Sequence, residues 1–178
     1  NANILGHSMG GKAAMQFAND YPDRIAKLVV ADMAPIAYRP HHLKIMKGLS
    51  SVDLSTLRSR QEADALLKMS IPEISTRQFL LKGLGRGDDK SFKWKFNLET
   101  IQRLYSNVLT KIVLDVPFEG PSFFILGGKS EYKVDEHSGY ILSLFPNATF
   151  KSIPEAGHWL HAETPDRFFQ EVKSFLDS

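Results

Sequence analysis

Strand-like and helix-like patterns of apolar residues alternate at both ends of the chain. A continuous apolar run within residues 25–35 is typical of a strand covered on both faces. Small and apolar residues at 9–19 predict a helix that Pro22 ends. Further strands are predicted at residues 2–5, 121–128 and 148–154, with a short helix at 136–145. Because strands that alternate with helices usually form a parallel sheet, the pattern predicts the α/β class.

The middle of the chain, residues 36–119, is more polar and has helical periodicity. Helices are predicted within 53–67, 71–83 and 97–113, and residues 85–91 are predicted to form a loop. The last of these helices is predicted to bury one face, which carries Leu98, Ile101, Leu104, Tyr105 and Val108. We therefore divide the chain into core residues 1–35 and 120–178, separated by a helical insert over 36–119.

An amphipathic helix is predicted to close the chain, over residues 164–178. Thr164 is a favourable N-cap, and Pro165 suits the first helical position. The predicted apolar stripe consists of Phe168, Phe169, Val172, Phe175 and Leu176. This helix is expected to pack on one face of the sheet.

Composition and charge narrow the classes of function. The 178 residues carry a formal net charge of +2, and no segment concentrates Lys or Arg as a nucleic-acid-binding surface would. The absence of cysteine excludes disulfides, thiolate metal sites and thiol catalysis. No apolar run approaches the roughly 18 residues of a membrane span. The expected location is the cytoplasm or an organelle matrix.

The segment Gly6-His7-Ser8-Met9-Gly10 matches the G-x-S-x-G pattern of a nucleophile elbow. It follows a predicted strand and opens a predicted helix, which is the structural setting that this motif requires. A serine at such a turn has strained backbone, and flanking glycines let the helix pass close to the strand. Its hydroxyl is exposed, and the Met9 amide at the helix N-terminus can stabilise an oxyanion. The pattern predicts Ser8 as a nucleophile.

A serine nucleophile needs a base, and His158 is the strongest of six candidate histidines. It lies between the last predicted strand and the last helix, where a loop can fold back over Ser8. His7 is expected to have a packing role. An alternative makes His158, His161 and Glu163 metal ligands, but the surrounding Pro154, Gly157 and Pro165 favour a loop over a ligand-bearing helix.

Two regions could supply the acid of a triad. Asp32 ends the apolar strand that follows the elbow helix, so it should share a sheet edge with Ser8. The other candidates, Glu131, Asp135 and Glu136, follow the strand at 121–128. The residues alone leave both regions open.

These motifs resemble those of a known family. The segments GHSMGG and AGHW and the closing helix are similar to α/β-hydrolase-fold serine hydrolases. VVADMAPIAYRPH, TRQFLLKGL and KWKFNL resemble the YbfF-type acyl-ester hydrolases more narrowly, over nearly the whole chain. The resemblance implies a serine esterase or thioesterase that acts on short- to medium-chain acyl substrates and needs no cofactor or metal.

The resemblance also assigns roles to residues. It implies Ser8 as nucleophile, His158 as base and the Met9 amide as an oxyanion donor. Most α/β-hydrolases place the acid after the penultimate strand, where this chain has Ser130, whereas YbfF-type enzymes use an aspartate one strand earlier, which corresponds to Asp32. Candidates to line an apolar acyl site are Met33 and Trp159, with Ile36, Phe79 and Leu80.

The family places its nucleophile after the fifth strand of an eight-stranded sheet, whereas this chain has that strand at its beginning. The resemblance therefore implies the second half of the sheet, strands five to eight, with a helical cap formed by the insert. We expect the exposed edge of the fifth strand to be covered by a preceding segment or by a second copy. The chain alone is expected to be nearly inactive, because the second oxyanion amide would be absent.

Two rival functions remain open at the level of sequence. One is another α/β-hydrolase chemistry, such as C–C bond hydrolysis, which the elbow does not distinguish from ester hydrolysis. The other is a non-catalytic binding module, which would typically have lost a member of the triad. Ser8, His158 and an acid are all available here, which favours the enzyme.

Overall fold

The first of two units comprises Asn1–Ala37 and Thr110–Ser178 and contains a four-stranded parallel sheet. The structure is a computed structural model that describes residues 1–178. The strands, in chain order, are β1 (Ala2–His7), β2 (Ile25–Ala31), β5 (Ser122–Gly127) and β6 (Ala148–Ile153), and they lie side by side in that order. All three strand pairs are parallel, as the alternating pattern predicted.

Helices cover both faces of this sheet. Their bounds are α1 (Met9–Asp20), α7 (Ser138–Leu144), α8 (Leu160–Glu163) and α9 (Pro165–Asp177), and 3₁₀ turns span Pro22–Arg24 and Val134–His137. On one face Val29 and Phe123 pack with Val172 of α9, and on the other Val30 lies against Gly11 of α1. Residues 28–31 of β2 are fully buried, which explains their uninterrupted apolar character.

The closing helix differs in two details from its prediction. Thr164 does not cap α9 with its side chain; its hydroxyl donates to the Leu160 carbonyl at 2.9 Å instead. Phe169, which the predicted stripe includes, is 63% exposed. Phe168, Phe175 and Leu176 do pack against the core, so the apolar face is narrower than the periodicity indicates.

The second unit comprises Tyr38–Leu109. Its helices are α2 (Leu43–Ser50), α3 (Arg60–Leu67), α4 (Ile74–Lys82), α5 (Leu98–Arg103) and α6 (Tyr105–Leu109), and its strands are β3 (Leu84–Arg86) and β4 (Phe92–Trp94). Its own core includes Leu49, Leu67 and Phe92. The predicted helix at 97–113 is two short helices, in which only Tyr105 of the predicted face is buried and Leu104 is exposed.

The antiparallel hairpin of β3 and β4 is absent from the prediction. Leu84 pairs with Trp94 and Arg86 with Phe92. The segment Phe92-Lys-Trp94-Lys-Phe96 alternates apolar and charged residues, which is the period of a strand, and residues 87–91 connect the two strands. The alternation typical of a strand is therefore present in residues 92–96. It was not predicted as a strand because the surrounding residues have a mostly helical pattern.

Two connecting segments join the units and run side by side. Within the first unit the Ile112 amide donates to the Pro35 carbonyl at 2.9 Å, and within the second the Tyr38 amide donates to the Leu109 carbonyl at 2.9 Å. The ammonium of Lys12, a residue 5% exposed, donates to the carbonyl of Ile36 on one segment and of Thr110 on the other. No helix of the structure combines the length and the apolar character that crossing a bilayer requires.

Candidate active site

Ser8 occupies a sharp turn between β1 and α1. Its backbone angles are φ 55° and ψ −121°, which a non-glycine residue adopts only under strain. The Ser8 amide donates to the Ala31 carbonyl of β2 at 3.1 Å, and the Ser8 carbonyl accepts from the Gly11 amide at 2.8 Å. The turn is therefore held from both the sheet and the helix.

Of the two glycines of the motif, which flank Ser8, only Gly6 is required by the space around it. A Cβ atom at Gly6 would lie 2.2 Å from the Gly10 carbonyl oxygen, whereas one at Gly10 would meet nothing within 4 Å. The motif predicts that both glycines allow the close approach of strand and helix, and for Gly10 that prediction is wrong. At the next position, a Cβ on Gly11 would lie 3.1 Å from Val30.

His158 lies in the loop between β6 and α8, and its two ring nitrogens bond to different residues. Nε2 is 2.9 Å from Ser8 Oγ, and Nδ1 is 2.7 Å from Asp32 Oδ2. Because an ionised carboxylate only accepts hydrogen bonds, Nδ1 carries the proton and Nε2 accepts from the serine hydroxyl. This tautomer prepares Nε2 to take the hydroxyl proton.

Asp32 follows β2 and is 1% exposed. Besides His158, its carboxylate accepts the Gly127 amide on Oδ1 at 2.9 Å and the Ser130 hydroxyl on Oδ2. Its backbone has φ 50°, and its amide donates to the Ile125 carbonyl at 2.9 Å. Donors from the end of the neighbouring strand β5 thus compensate the burial of this carboxylate.

The structure brings together Ser8, His158 and Asp32, which the sequence analysis singled out. The alternative acids Glu131, Asp135 and Glu136 are exposed, and the His158 ring bonds to Asp32. Two of the three alternative metal ligands are otherwise engaged: His158 uses both ring nitrogens, and Glu163 accepts the backbone amides of Gly157 and Trp159.

His7, for which only a packing role was expected, contacts both the backbone and the ring of His158. Its Nε2 lies 2.7 Å from the His158 carbonyl oxygen, and its ring centroid is 4.7 Å from that of His158. Burial is the main cause that lowers the pKa of His7 to about 4, so its ring is neutral at neutral pH. Position alone, next to the nucleophile, could have suggested this contact.

The remaining candidates differ in their surroundings. The Met9 amide lies at the first position of α1, directly after Ser8. Met33 is 4% exposed and lies against Gly11 of α1, and the half-buried Trp159 has its ring centroid 5.5 Å from that of His158. The Tyr132 ring, which the sequence analysis missed, stacks on His158 at 4.1 Å with an interplanar angle of 14°.

The chain is similar to known proteins of one family. Residues 1–171 match the family described as "Alpha/beta hydrolase family". The chain is 38% identical over 175 residues to a putative esterase/lipase of Haemophilus influenzae, covering 98% of this chain and 60% of that protein. It is 36% identical over 179 residues to the sn-1-specific diacylglycerol lipase ABHD11 of Mus musculus, covering 97% and 58%.

Two further comparisons extend the similarity. The Escherichia coli esterase YbfF is 34% identical over 177 residues, which is 99% of this chain and 67% of that protein. A solved structure described as a marine microorganism esterase is 40% identical and superposes with a TM-score of 0.91, over 97% of this chain and 69% of that one. The chain thus spans about 60% of the length of the first two curated relatives.

Proposed function

Because the chain belongs to the alpha/beta hydrolase family, we propose that it carries the catalytic triad of a serine hydrolase. The observation that supports this is the continuous hydrogen-bond path from Ser8 Oγ through His158 to Asp32, with distances of 2.9 and 2.7 Å. Serine, neutral imidazole and buried carboxylate in this order are the requirements of nucleophilic acyl transfer.

In the proposed mechanism Ser8 Oγ attacks the acyl carbonyl carbon and transfers its proton to His158 Nε2. Asp32 stabilises the resulting imidazolium, while the Met9 amide donates to the oxyanion of the tetrahedral intermediate. The intermediate collapses to an acyl-enzyme, and the leaving alkoxide or thiolate takes the proton from His158. Water, deprotonated by the same nitrogen, then attacks the acyl carbon. As the bond between that carbon and Ser8 Oγ breaks, the acid leaves and His158 returns the proton to Ser8.

We propose short- to medium-chain acyl esters or thioesters as substrates. The relatives named an esterase and a diacylglycerol lipase support acyl-ester cleavage as the reaction class. Trp159 remains our candidate to contact the substrate beside His158, and Met33 our weaker one because it is buried. The proposed location is the cytoplasm or an organelle matrix.

The outer edge of β1 is the place where we propose that a further segment binds. β1 ends the sheet order, so one side of the strand is not hydrogen-bonded within the sheet. The occupant is either a preceding segment, corresponding to the part of the relatives that this chain does not span, or a second copy. Such a segment would also supply a second oxyanion donor, and lacking one donor lowers the rate roughly 100- to 1000-fold.

Active-site labelling with a fluorophosphonate tests the proposal. The 178-residue chain is compared with an extended version that carries the corresponding N-terminal region of the relatives, and the labelled peptide is identified by mass mapping. We expect label on Ser8, faster in the extended version, and none in Ser8→Ala. If neither version is labelled although both are folded, the hydrolase proposal fails and a binding module becomes the better explanation.

A further inference from the structure

The loop that carries His158 is held at three consecutive residues by two side chains. Glu163 accepts the Gly157 amide on Oε2 at 2.7 Å and the Trp159 amide on Oε1 at 3.2 Å. His7 Nε2 lies 2.7 Å from the carbonyl oxygen of His158 itself. The backbone on each side of the base and at the base is therefore fixed from outside the loop.

The chemistry of the His7 contact defines which of its ring nitrogens carries a hydrogen. A carbonyl oxygen only accepts, so His7 Nε2 carries the hydrogen and donates it to the His158 carbonyl. The groups that act on His7 electrostatically are His158, His161 and Asp32, and burial is the larger effect. Glu163 accepts two backbone amides, one on each carboxyl oxygen, and amide hydrogen bonds to a carboxylate are stronger than those between neutral groups.

The packing around the loop leaves little space for alternative arrangements. A Cβ atom at Gly157 would lie 3.1 Å from Glu163 Oε1, so glycine allows the carboxylate to approach the backbone. On the other side, a Cβ atom at Gly127 would lie 2.1 Å from the Gly157 carbonyl oxygen. The loop is thus confined between Glu163 and the end of β5.

We propose that His7 and Glu163 are positioning residues that fix the His158 ring between Ser8 and Asp32. This inference rests on the proposed function. Loops are ordinarily more mobile than the elements they connect, yet the imidazole has to keep two hydrogen bonds to residues on two different strand ends. His7 directly precedes Ser8 and also bonds to the backbone of His158. Ser8 and His158 are therefore expected to move together.

Kinetics of the extended version provide the first test. His7→Ala and Glu163→Ala are expected to lower kcat about 10- to 100-fold with KM nearly unchanged, because displacing a reacting group by about 1 Å costs roughly 100-fold. His7→Gln, whose amide can donate to the same carbonyl, should recover most of this loss. Glu163→Gln retains one acceptor oxygen and should be intermediate.

The matched controls are Glu155→Gln, an exposed carboxylate in the same loop, and His137→Ala, a histidine remote in sequence from the triad. Both are expected to leave kcat unchanged. A merely structural role for His7 would lower the amount of folded protein without the selective effect on kcat or the recovery by glutamine. Equal kcat values for wild type, His7→Ala and Glu163→Ala would overturn the proposal.

Proton NMR of the 178-residue chain gives a readout independent of turnover. The His158 Nδ1 proton, bonded to the Asp32 carboxylate, should appear at low field and vanish in His158→Gln. We expect it to persist in His7→Gln and to broaden or disappear in His7→Ala and Glu163→Ala. If an alanine variant does not fold, loss of the signal in folded His7→Gln contradicts the proposal.

The two proposals fail in different ways. Wild type that shows the low-field proton, with no label on Ser8 in either the 178-residue chain or the extended version, contradicts the hydrolase function and leaves the NMR comparison to decide the positioning role. Wild type that is labelled, with the proton unchanged in both alanine variants, supports the hydrolase and overturns the positioning role.

Discussion

Ser130 donates its hydroxyl to the carboxylate of Asp32, a residue 98 positions earlier in the chain. The acceptor is Oδ2, the same oxygen that is 2.7 Å from His158 Nδ1. Ser130 follows β5, where most α/β-hydrolases place their acid, and Asp32 follows β2. The two positions therefore meet at one end of the sheet, although only one of them carries a carboxylate.

Because Ser130 contacts Asp32 directly, we predict that a carboxylate at position 130 can take over part of the role of Asp32. Asp32→Asn should lower the rate of Ser8 labelling by on the order of 10⁴-fold, because the amide no longer orients the neutral tautomer or stabilises the imidazolium. Adding Ser130→Asp to Asp32→Asn should recover part of the rate, since a carboxylate at 130 starts within hydrogen-bond reach of the former acid. Labelling kinetics measure both variants; no recovery in a folded double variant would contradict the prediction.

Gly6 and Gly10 are predicted to respond in opposite ways to the same added methyl group. Gly6→Ala places Cβ 2.2 Å from a backbone oxygen and should lower the free energy of unfolding by about 3 kcal/mol or more. Gly10→Ala meets open space within a helix and should change it by less than about 1 kcal/mol, in the stabilising direction. Urea unfolding of the two variants decides this, and equal effects would refute the steric argument.

His7 should make the chain less stable in mild acid. Its pKa is about 4 in the folded chain against the ordinary histidine value of 6.5, so the unfolded state binds more protons between these values. The stability from neutral His7 is fully present above pH 6.5 and is lost as the pH falls toward 4. Across that range we expect wild type to lose about 1–2 kcal/mol more than His7→Gln, after allowing for partial solvent contact. Parallel pH curves would contradict this.

Lys12 should stabilise the connecting segments through its two carbonyl partners. Lys12→Met removes the donor to Ile36 and Thr110 and should cost about 1–3 kcal/mol, with faster hydrogen exchange at the Ile112 amide. The exposed Lys111→Met is the matched control and should have little effect.

The pH dependence of Lys12 has a definite sign. Burial lowers its pKa from 10.5 to about 8, so between these values the unfolded state holds the proton more tightly. The contribution of Lys12 to the free energy of unfolding therefore rises as the pH increases from about 8 to 10.5. The stability difference between wild type and Lys12→Met should grow over that interval, and a constant difference would contradict the burial argument.

The sequence predicted the fold class and the family, and both are confirmed. The reason is physical: β2 and β5 are covered on both faces, so their apolar runs are continuous, and a serine elbow needs recognisable small residues. The triad members were predicted too, and their catalytic roles stay a prediction. Geometry favours Asp32 over Glu131 because the Asp32 carboxylate is buried and accepts hydrogen bonds from Gly127 and Ser130. This contact joins two strands that are distant in sequence, so the periodicity of the sequence does not predict it.

The features that the sequence did not predict depend on tertiary contacts. The hairpin of β3 and β4 has only three residues in each strand, so its period was too short to stand out from helical neighbours. The contacts of Glu163 with Gly157 and Trp159 arise because a short helix turns its carboxylate back on the preceding loop. Residue types alone suggested a metal ligand there, since a carboxylate that binds amides has no distinct signature in sequence.

The side-by-side connecting segments at Pro35–Ile112 and Tyr38–Leu109 bear on how such a protein can diversify. Because the chain leaves and re-enters the sheet-bearing unit at neighbouring points, the intervening residues can lengthen, shorten or be exchanged while the ends still meet. The entropy of closing a loop rises only slowly with its length, by about 0.6 kcal/mol per doubling. Evolution, or recombination in the laboratory, can therefore replace residues Tyr38–Leu109 as a unit. The strands that hold Ser8, Asp32 and His158 would keep their original order.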